Sequence, residues 1–128
     1  MFRLRITGNL GFEFWQDIPE YEGLYQASTY GRIRNKKNIS AVNYHINCKW
    51  GYCQLHLWIN GNSYSKRVHR LIAETFIPNP NKYREINHID ENKLNNRVEN
   101  LEWCTHKYNC AYGTRNQRIG LKNTKQKS

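Results

Sequence analysis

The sequence predicts an α+β fold, because segments with a two-residue hydrophobic period and a segment with a helical period follow one another along the chain. Residues 51–59 alternate between apolar and polar side chains, and residues 71–76 carry an apolar stripe at helical spacing. The 128 residues match one domain, or one domain with a small appendage. We divide the chain into a small β-rich N-terminal module at residues 1–50, a core at 51–113 and a basic tail at 114–128.

The N-terminal module is predicted to contain short strands joined by turns. Residues 25–28 and 32–34 have strand character, and Pro19 and Gly31 punctuate the surrounding segment. Residues 35–50 are basic and are expected to form a loop.

The core is predicted to begin with a β-hairpin and a helix. One face of the strand at residues 51–59 is apolar and carries Cys53, Leu55, Leu57 and Ile59. Asn60-Gly61 is the strongest short signal for a hairpin turn, and residues 63–68 are expected to return as the partner strand. A helix follows at residues 69–77, where Pro78 ends it.

A second β-hairpin and a short helix are predicted to complete the core. Strands are expected at residues 85–89 and 98–104, separated by an Asn-rich turn at 90–97. Thr105 is a candidate N-cap for a helix over residues 106–112.

The charge indicates an anionic partner. Lys and Arg number 20 against 10 Asp and Glu, which gives a net charge of +10. One-sign clusters of this kind attract a phosphate backbone, although a merely solvated basic face is an equal alternative for any single cluster. Aromatic residues between the clusters favour nucleic acid. The residues that we expect to contact DNA are Arg32, Arg34, Lys36, Lys37, Lys66, Arg67 and Arg70, with Arg115 and Arg118 in the tail.

The composition excludes several classes of protein. The aromatic content of 13% and the net charge of +10 exclude an acidic solvating tail, a collagen-like repeat and a wholly disordered polyelectrolyte. No apolar run approaches the ~20 residues of a membrane span, and the first residues lack the apolar stretch of a signal peptide. We therefore predict no membrane association and a cytoplasmic protein.

The cysteine spacing does not favour a structural zinc site. Cys48 and Cys53 form C-x4-C, while Cys104 and Cys110 form C-x5-C, and neither pair has the C-x2-C spacing of a common zinc ribbon. We expect reduced thiols that pack as small hydrophobic groups, and zinc is the less favoured alternative.

The stretch at residues 87–109 carries the candidate chemistry. A hairpin packed on a helix would bring Asn87 and His88 close to Asn109, so that two amide oxygens and an imidazole converge. Oxygen ligands of this type suit Mg²⁺ or Mn²⁺ better than a thiolate-binding metal.

This stretch, which reads NHIDENKLNNRVENLEWCTHKYN, resembles the HNH motif of phage and intron-encoded homing endonucleases with a ββα-metal core. Residues 68–78 resemble the segment that precedes the motif in those nucleases. Residues 15–34 resemble a small nuclease-associated module at their N-terminus. The resemblance implies an N-terminal DNA-binding module followed by a ββα-metal nuclease core.

The resemblance also implies roles for individual residues. His88 matches the general base that activates the attacking water, and Asn100 matches the asparagine that braces the turn and helps to orient the histidine. Asn87 and Asn109 match the two metal ligands. Asn87 departs from the Asp of many relatives, and a neutral amide binds Mg²⁺ more weakly than a carboxylate does. Asp90 is the nearest carboxylate, although an Asx turn is its commoner role.

The activity implied by the resemblance is metal-dependent hydrolysis of double-stranded DNA. One Mg²⁺ or Mn²⁺ ion per site and one site per chain predict nicking, by a monomer or by a weak dimer on DNA. A non-catalytic DNA-binding protein that retains the ββα scaffold is the main alternative, and an RNA-binding or RNA-cleaving protein is the second. Asn95 and Asn96 are assigned to the turn alone, and His69 is assigned a structural role.

Overall fold

The computed structural model describes residues 12–47 and 49–113 of the chain. The α+β fold predicted from the sequence is confirmed, with three small sheets and two helices in these ranges. Cys48 and the predicted DNA contacts Arg115 and Arg118 lie outside the described residues, as does the tail from residue 114.

Eight strands and two helices follow one another along the described residues. The strands are β1 (Trp15–Asp17), β2 (Tyr25–Ser28), β3 (Ile33–Asn35), β4 (His45–Ile46), β5 (Cys53–Ile59), β6 (Asn62–Arg67), β7 (Glu85–His88) and β8 (Leu101–Cys104). The helices are α1 (Val68–Phe76) and α2 (His106–Ala111). The sheets have the antiparallel orders β1-β2-β3, β4-β5-β6 and β7-β8.

The first sheet contains the two strands predicted in the N-terminal module and an additional one. β2 and β3 pair with Ala27 opposite Ile33, and both residues are buried. β1, which the sequence did not predict, pairs with β2 from Trp15 opposite Ser28. The backbone N–H of Phe14, just before β1, donates to Oγ1 of Thr29 over 3.0 Å.

The second sheet carries the predicted alternation. Cys53, Leu55 and Leu57 of β5 are buried, whereas His56 and Trp58 between and beyond them are exposed. The hairpin turns at Asn60-Gly61, as predicted, and both residues have positive φ. The expectation of a loop throughout residues 35–50 was wrong in two places, because Asn35 ends β3 and because β4 pairs with β5.

The second hairpin and α2 form a ββα unit. β7 and β8 pair with Asn87 opposite Glu102. The predicted strand over residues 98–104 is shorter than expected, since residues 98–100 form a 3₁₀ turn. That turn is tied to the N-terminal module, because the Val98 N–H donates to the Thr29 carbonyl over 3.0 Å. Thr105 caps α2 as predicted, accepting the Tyr108 N–H over 3.1 Å.

One hydrophobic core runs across the predicted boundary at residue 50. Ile33 of β3, Leu57 of β5, Ile72 of α1 and Leu101 of β8 belong to the same buried cluster. α1 is the centre of this arrangement, because it packs against strands of all three sheets. Neither described helix has the length and apolarity needed to cross a membrane.

Candidate active site

His88 ends β7 at the side of the hairpin that faces α1. Its side chain is 4% exposed, and its ring lies 5.0 Å from that of His69 and 6.0 Å from that of Tyr52. Nε2 of His88 lies 2.9 Å from Oδ1 of Asn96, which is also buried. The imidazole is therefore held by a hydrogen bond to the returning loop and by ring contacts with His69 of α1 and with Tyr52.

The contact with Asn96 fixes which ring nitrogen of His88 can accept a proton. An amide oxygen only accepts hydrogen bonds, so this contact requires the proton on Nε2. In the neutral ring the lone pair then lies on Nδ1.

His69 is a neutral neighbour of this ring. It stacks on Tyr52 with ring centroids 4.8 Å apart and is 5% exposed. Burial, followed by the nearby charge of His88, lowers the pKa of His69 to about 3. A neutral His69 adds no positive charge beside His88 at physiological pH. Its packing in the core matches the structural role predicted from the sequence.

Asn100 braces the loop that joins β7 to β8. Its Nδ2 donates to Oδ1 of Asp90 and to the backbone oxygen of Asn95, both over 2.9 Å, and its Oδ1 accepts the Asp90 N–H over 2.9 Å. Asp90 also accepts the Asn92 N–H over 2.8 Å, which forms the expected Asx turn. Burial raises the pKa of Asp90, but hydrogen bonds from Asn95, Asn92 and Asn100 outweigh it and lower the pKa.

Nε2 of His88 donates its hydrogen bond to Asn96, whereas the side chain of Asn100 bonds to Asp90 and Asn95. The assignment of Asn96 to the turn alone was therefore wrong. Asn100 acts on the loop from its opposite side, through Asp90 and Asn95. Asn96 contacts the histidine ring, and Asn100 braces the loop.

Asn87 and Asn109 lie on the other side of the hairpin, where α2 packs. Nδ2 of Asn87 donates to Oε2 of Glu102 over 2.8 Å, and Nδ2 of Asn109 donates to Oε1 of Glu85 over 2.9 Å. Successive residues of a strand point to opposite faces, which separates Asn87 from His88. The convergence of these three side chains on one ion stays a prediction: the His88 ring contacts His69 of α1, and the nitrogens of the two amides are bound to Glu102 and Glu85 of the hairpin.

The oxygen atoms on the α2 side fit a hard divalent cation. Asn87 is fully buried, and its Oδ1 has no hydrogen-bond partner within the described residues. A buried amide oxygen without a partner is costly, and a bound cation would satisfy it. No cluster of three or more His, Cys, Asp or Glu side chains suited to a metal occurs in residues 12–47 and 49–113. Asparagine oxygens are therefore the candidate ligands on this side.

Two cations flank the aromatic ring beside His88. The guanidinium carbon of Arg67 and Nζ of Lys93 each lie 4.8 Å from the centroid of the Tyr52 ring. Lys93 is anchored by a hydrogen bond of 2.8 Å to the backbone oxygen of Trp50. The His88 side of the hairpin thus combines an imidazole with two positive charges.

Several predicted DNA contacts are engaged within the protein. Arg32 is paired with Glu13, and Nζ of Lys36 lies 2.8 Å from Oδ2 of Asp17. The hydrogen bond from Lys36 is the largest influence on Asp17 and lowers its pKa. Two further predicted contacts lie over aromatic rings, with Arg34 at 4.0 Å from the centroid of Trp15 and Lys66 at 6.0 Å from that of Tyr21. Arg70 donates a hydrogen bond of 2.7 Å to the Arg84 carbonyl. Lys37 is exposed.

Sequence reasoning missed Tyr52 and Lys93 beside His88, and Glu85 and Glu102 beside the amides. The two acids lie inside or next to the recognised stretch, and strand alternation alone places Glu85 on the same face as Asn87. The partner of Asn87 depends on the register of the hairpin. That register follows from the conformation of the long loop, which no local pattern specifies.

No disulfide bond forms among the cysteines in the part of the chain that the structure describes. Cys53 and Cys104 are buried, and Cys110 is exposed. Burial raises the pKa of Cys53, which keeps it protonated in the core.

Profile matches agree with this arrangement. A profile described as HNH endonuclease matches residues 66–111, and one described as the NUMOD4 motif matches residues 13–87. An uncharacterized HNH endonuclease of Acanthamoeba polyphaga mimivirus is 38% identical over 108 residues, which cover 84% of this chain and 31% of the relative.

Similarity extends to a phage enzyme with a solved structure. DNA endonuclease I-HmuI of Bacillus phage SP01 is 37% identical over 95 residues, which cover 74% of this chain and 54% of the relative. The structure reporting DNA binding and cleavage by I-HmuI matches with a TM-score of 0.70 and 31% identity, over 84% of this chain and 66% of that chain. This chain spans a third to about half the length of these two curated relatives.

The resemblance predicted from residues 15–34, 68–78 and 87–109 is confirmed by these matches. The chain belongs to the family defined by the NUMOD4 motif, which spans more than half of it, and carries an HNH endonuclease domain at residues 66–111.

Proposed function

We propose that the protein is a metal-dependent endonuclease that hydrolyses phosphodiester bonds of double-stranded DNA, and that each encounter nicks one strand. The observation that carries the proposal is the His88 imidazole, held through Nε2 by Asn96 beside the cations of Arg67 and Lys93. An oriented imidazole supplies the base, and the two cations supply charge for a phosphate backbone.

His88 takes the proton of the attacking water at Nδ1. Asn96 Oδ1 accepts a hydrogen bond from the Nε2–H of the neutral ring, and this hydrogen bond becomes stronger when the ring becomes an imidazolium. The low pKa of His69 prevents a second positive charge from forming beside it. Both contacts stabilise the imidazolium form of His88 that results from the proton transfer, compared with a histidine that lacks them.

Asn87 and Asn109 are the residues that would hold one Mg²⁺ or Mn²⁺ ion. When bound, the ion supplies charge stabilisation at the scissile phosphate and at the leaving 3′ oxygen. The protein contributes the buried Oδ1 atom of Asn87 and an α2 helix whose first turn is fixed by the Thr105 cap. His88 follows Asn87 directly in β7, so the proton acceptor is the next residue in the chain after a proposed ligand.

Arg67 and Lys93 bind the DNA backbone next to His88. Both cations lie 4.8 Å from the centroid of the Tyr52 ring, which itself contacts the His88 ring. Phosphate contacts of this kind set the position of the duplex and do not by themselves select a sequence. A single site per chain cuts one strand, so we expect a monomer or a weak dimer on DNA, acting in the cytoplasm.

A non-catalytic DNA-binding function is the second candidate. Two observations favour it: Asn87 is a neutral amide, and the His88 side chain is only 4% exposed. Both candidates keep the DNA-binding surface, and they differ in whether the bound duplex is cut.

The test is a plasmid-nicking assay with the 128-residue protein. Supercoiled DNA incubated with Mg²⁺ or Mn²⁺ should convert to nicked circles before linear DNA appears, and EDTA should stop the conversion. His88→Ala should lower the rate by about 10²- to 10⁴-fold, the contribution of a general base. His56→Ala, an exposed histidine on β5, is the matched control and should retain the rate.

Binding of plasmid without metal-dependent nicking would favour the non-catalytic function. Nicking that survives both EDTA and His88→Ala would contradict the assignment of the activity to this site. Competition between duplex DNA and structured RNA at one salt concentration checks the nucleic-acid class.

A further inference from the structure

Two carboxylates hold the amide groups of the proposed metal ligands. Glu102 accepts a hydrogen bond of 2.8 Å from Nδ2 of Asn87, and Glu85 accepts one of 2.9 Å from Nδ2 of Asn109. Each contact uses the nitrogen of the amide and thereby determines the orientation of its oxygen. The same chemical arrangement therefore occurs twice on the α2 side of the hairpin.

The backbone explains why these four side chains meet. Glu102 of β8 lies directly opposite Asn87 of β7, where cross-strand Cβ atoms are about 4.5–5.5 Å apart. Glu85 shares the Asn87 face of β7 because it lies two residues earlier. Helix α2 packs on β7 and carries Asn109, and its first residue His106 also contacts Glu85.

The buried oxygen of Asn87 is an independent sign of a ligand. Asn87 is 0% exposed, and its Oδ1 has no hydrogen-bond partner within the described part of the protein. Because Nδ2 is bound to Glu102, rotation of the amide to satisfy Oδ1 would break a charge-assisted hydrogen bond. The protein thus keeps a buried acceptor oriented at a cost that a cation would offset.

Charge supports the same interpretation. The protein has only 10 acidic residues and a net charge of +10, yet two acids stand on this one face of the hairpin. A carboxylate bound to the amide nitrogen polarises the amide and makes its oxygen a stronger ligand, and it adds negative charge near a cation. Glu102 also lines a groove of about 280 Å³ together with Thr105 and Tyr108.

We propose that Glu102 and Glu85 are positioning residues, which orient the oxygens of Asn87 and Asn109 toward a divalent cation and supply the negative charge that the neutral amides lack. The proposal depends on the function proposed above. It accounts for the asparagine at position 87, because Glu102 takes over the charge that an aspartate would bring there.

The test measures Mn²⁺ binding to the full 128-residue protein by electron paramagnetic resonance of free Mn²⁺, with and without duplex DNA. Glu102→Gln and Glu85→Gln should each weaken Mn²⁺ binding by about 10- to 100-fold, as for groups that support metal ligands. Glu74→Gln, an exposed acid on α1, is the matched control and should bind as the wild type does. Thermal unfolding of each variant checks that the isosteric substitutions leave the fold intact.

An exchange of the two groups separates positioning from a general structural role. The double variant Asn87→Asp with Glu102→Gln keeps the net charge and the hydrogen bond but reverses its direction. We expect the double variant to regain most of the Mn²⁺ affinity lost in Glu102→Gln. If the two substitutions acted independently on the structure, their losses of Mn²⁺ affinity would add instead.

Unchanged Mn²⁺ affinity in both Glu102→Gln and Glu85→Gln would overturn the proposal, as would a wild-type protein that binds no Mn²⁺. The proposed function fails on a different readout, namely metal-dependent nicking that is lost in His88→Ala. Nicking that depends on His88, together with unchanged Mn²⁺ affinity in both variants, would reject the positioning role alone.

Discussion

Nε2 of His88 and Oδ1 of Asn96 lie 2.9 Å apart in the interior, although one residue ends β7 and the other belongs to the loop that follows it. The backbone of Asn96 is itself packed against Gly31 of the N-terminal module. The orientation of the proposed base is therefore set by contacts from two distant parts of the sequence. This coupling leads to the first two predictions.

Asn96→Ala should slow DNA nicking by about tenfold, because it removes one hydrogen bond worth about 0.5–1.5 kcal/mol and leaves the His88 ring without its fixed tautomer. The pH profile of the nicking rate should shift as well, since the bond stabilises the imidazolium. Asn95→Ala is the matched control, because it removes a side chain that bonds to Asp90 in the same loop. Equal rates for the two variants would contradict the role of Asn96.

Gly31→Ala should lower both stability and nicking. Gly31 has φ +89°, and an added Cβ would come within 2.7 Å of the backbone carbonyl carbon and oxygen of Asn96. Gly61→Ala is a control with φ +80° and open space around it. We expect about 1–2 kcal/mol for the backbone strain that the two variants share, and a further ~1–3 kcal/mol for the clash in Gly31→Ala alone.

Urea unfolding measures this difference between the two glycine variants. If they lose the same free energy of unfolding, the contact between Gly31 and Asn96 carries no energetic weight. Nicking should fall in Gly31→Ala and persist in Gly61→Ala, since only the former displaces Asn96.

Arg67→Ala and Lys93→Ala should each weaken binding to duplex DNA irrespective of sequence. Each loses one phosphate contact, so the slope of log affinity against log salt should fall in magnitude by about 1. Lys36→Ala is the matched control, because Lys36 is already paired with Asp17 at 2.8 Å. A smaller slope change is expected there. Fluorescence anisotropy at several salt concentrations gives the slopes, and an equal change in all three variants would contradict this localisation of the DNA surface.

Sequence patterns predicted those elements whose signal is local. The alternation in residues 53–59, the Asn60-Gly61 turn and the Thr105 cap each depend on neighbouring residues, and all three are present. β1 was missed because three residues are too few to show a period, and its edge is defined by pairing with β2.

The site, too, was predicted only where its signal lies in neighbouring residues of the sequence. His88 and Asn100 could be identified from the HNH resemblance, and Asn100 braces the loop as expected. The partners of His88 could not, because His69 belongs to α1 and Tyr52 precedes β5, so their contacts arise from tertiary packing. The opposite facing of Asn87 and His88 follows from strand alternation alone.

The buried His69 makes stability depend on pH. Its folded pKa is about 3, against 6.5 for an ordinary histidine, because burial disfavours the charged ring. Between these values the unfolded protein binds a proton at His69 and the folded protein does not, so the free energy of unfolding falls as the pH falls below 6.5. Above pH 6.5 His69 is neutral in both the folded and the unfolded protein, so this loss of stability is absent there.

His69→Phe should remove this dependence, because phenylalanine keeps a ring against Tyr52 and does not titrate. Between pH 7 and pH 5 the wild type should lose about 2 kcal/mol more than the variant, which is the linkage expected for one histidine that stays neutral when folded. Urea unfolding of both proteins at the two pH values measures the difference. Parallel losses would show that the folded protein accommodates a charged His69, in which case a second positive charge could form beside His88 and the proposed base would have to work against it.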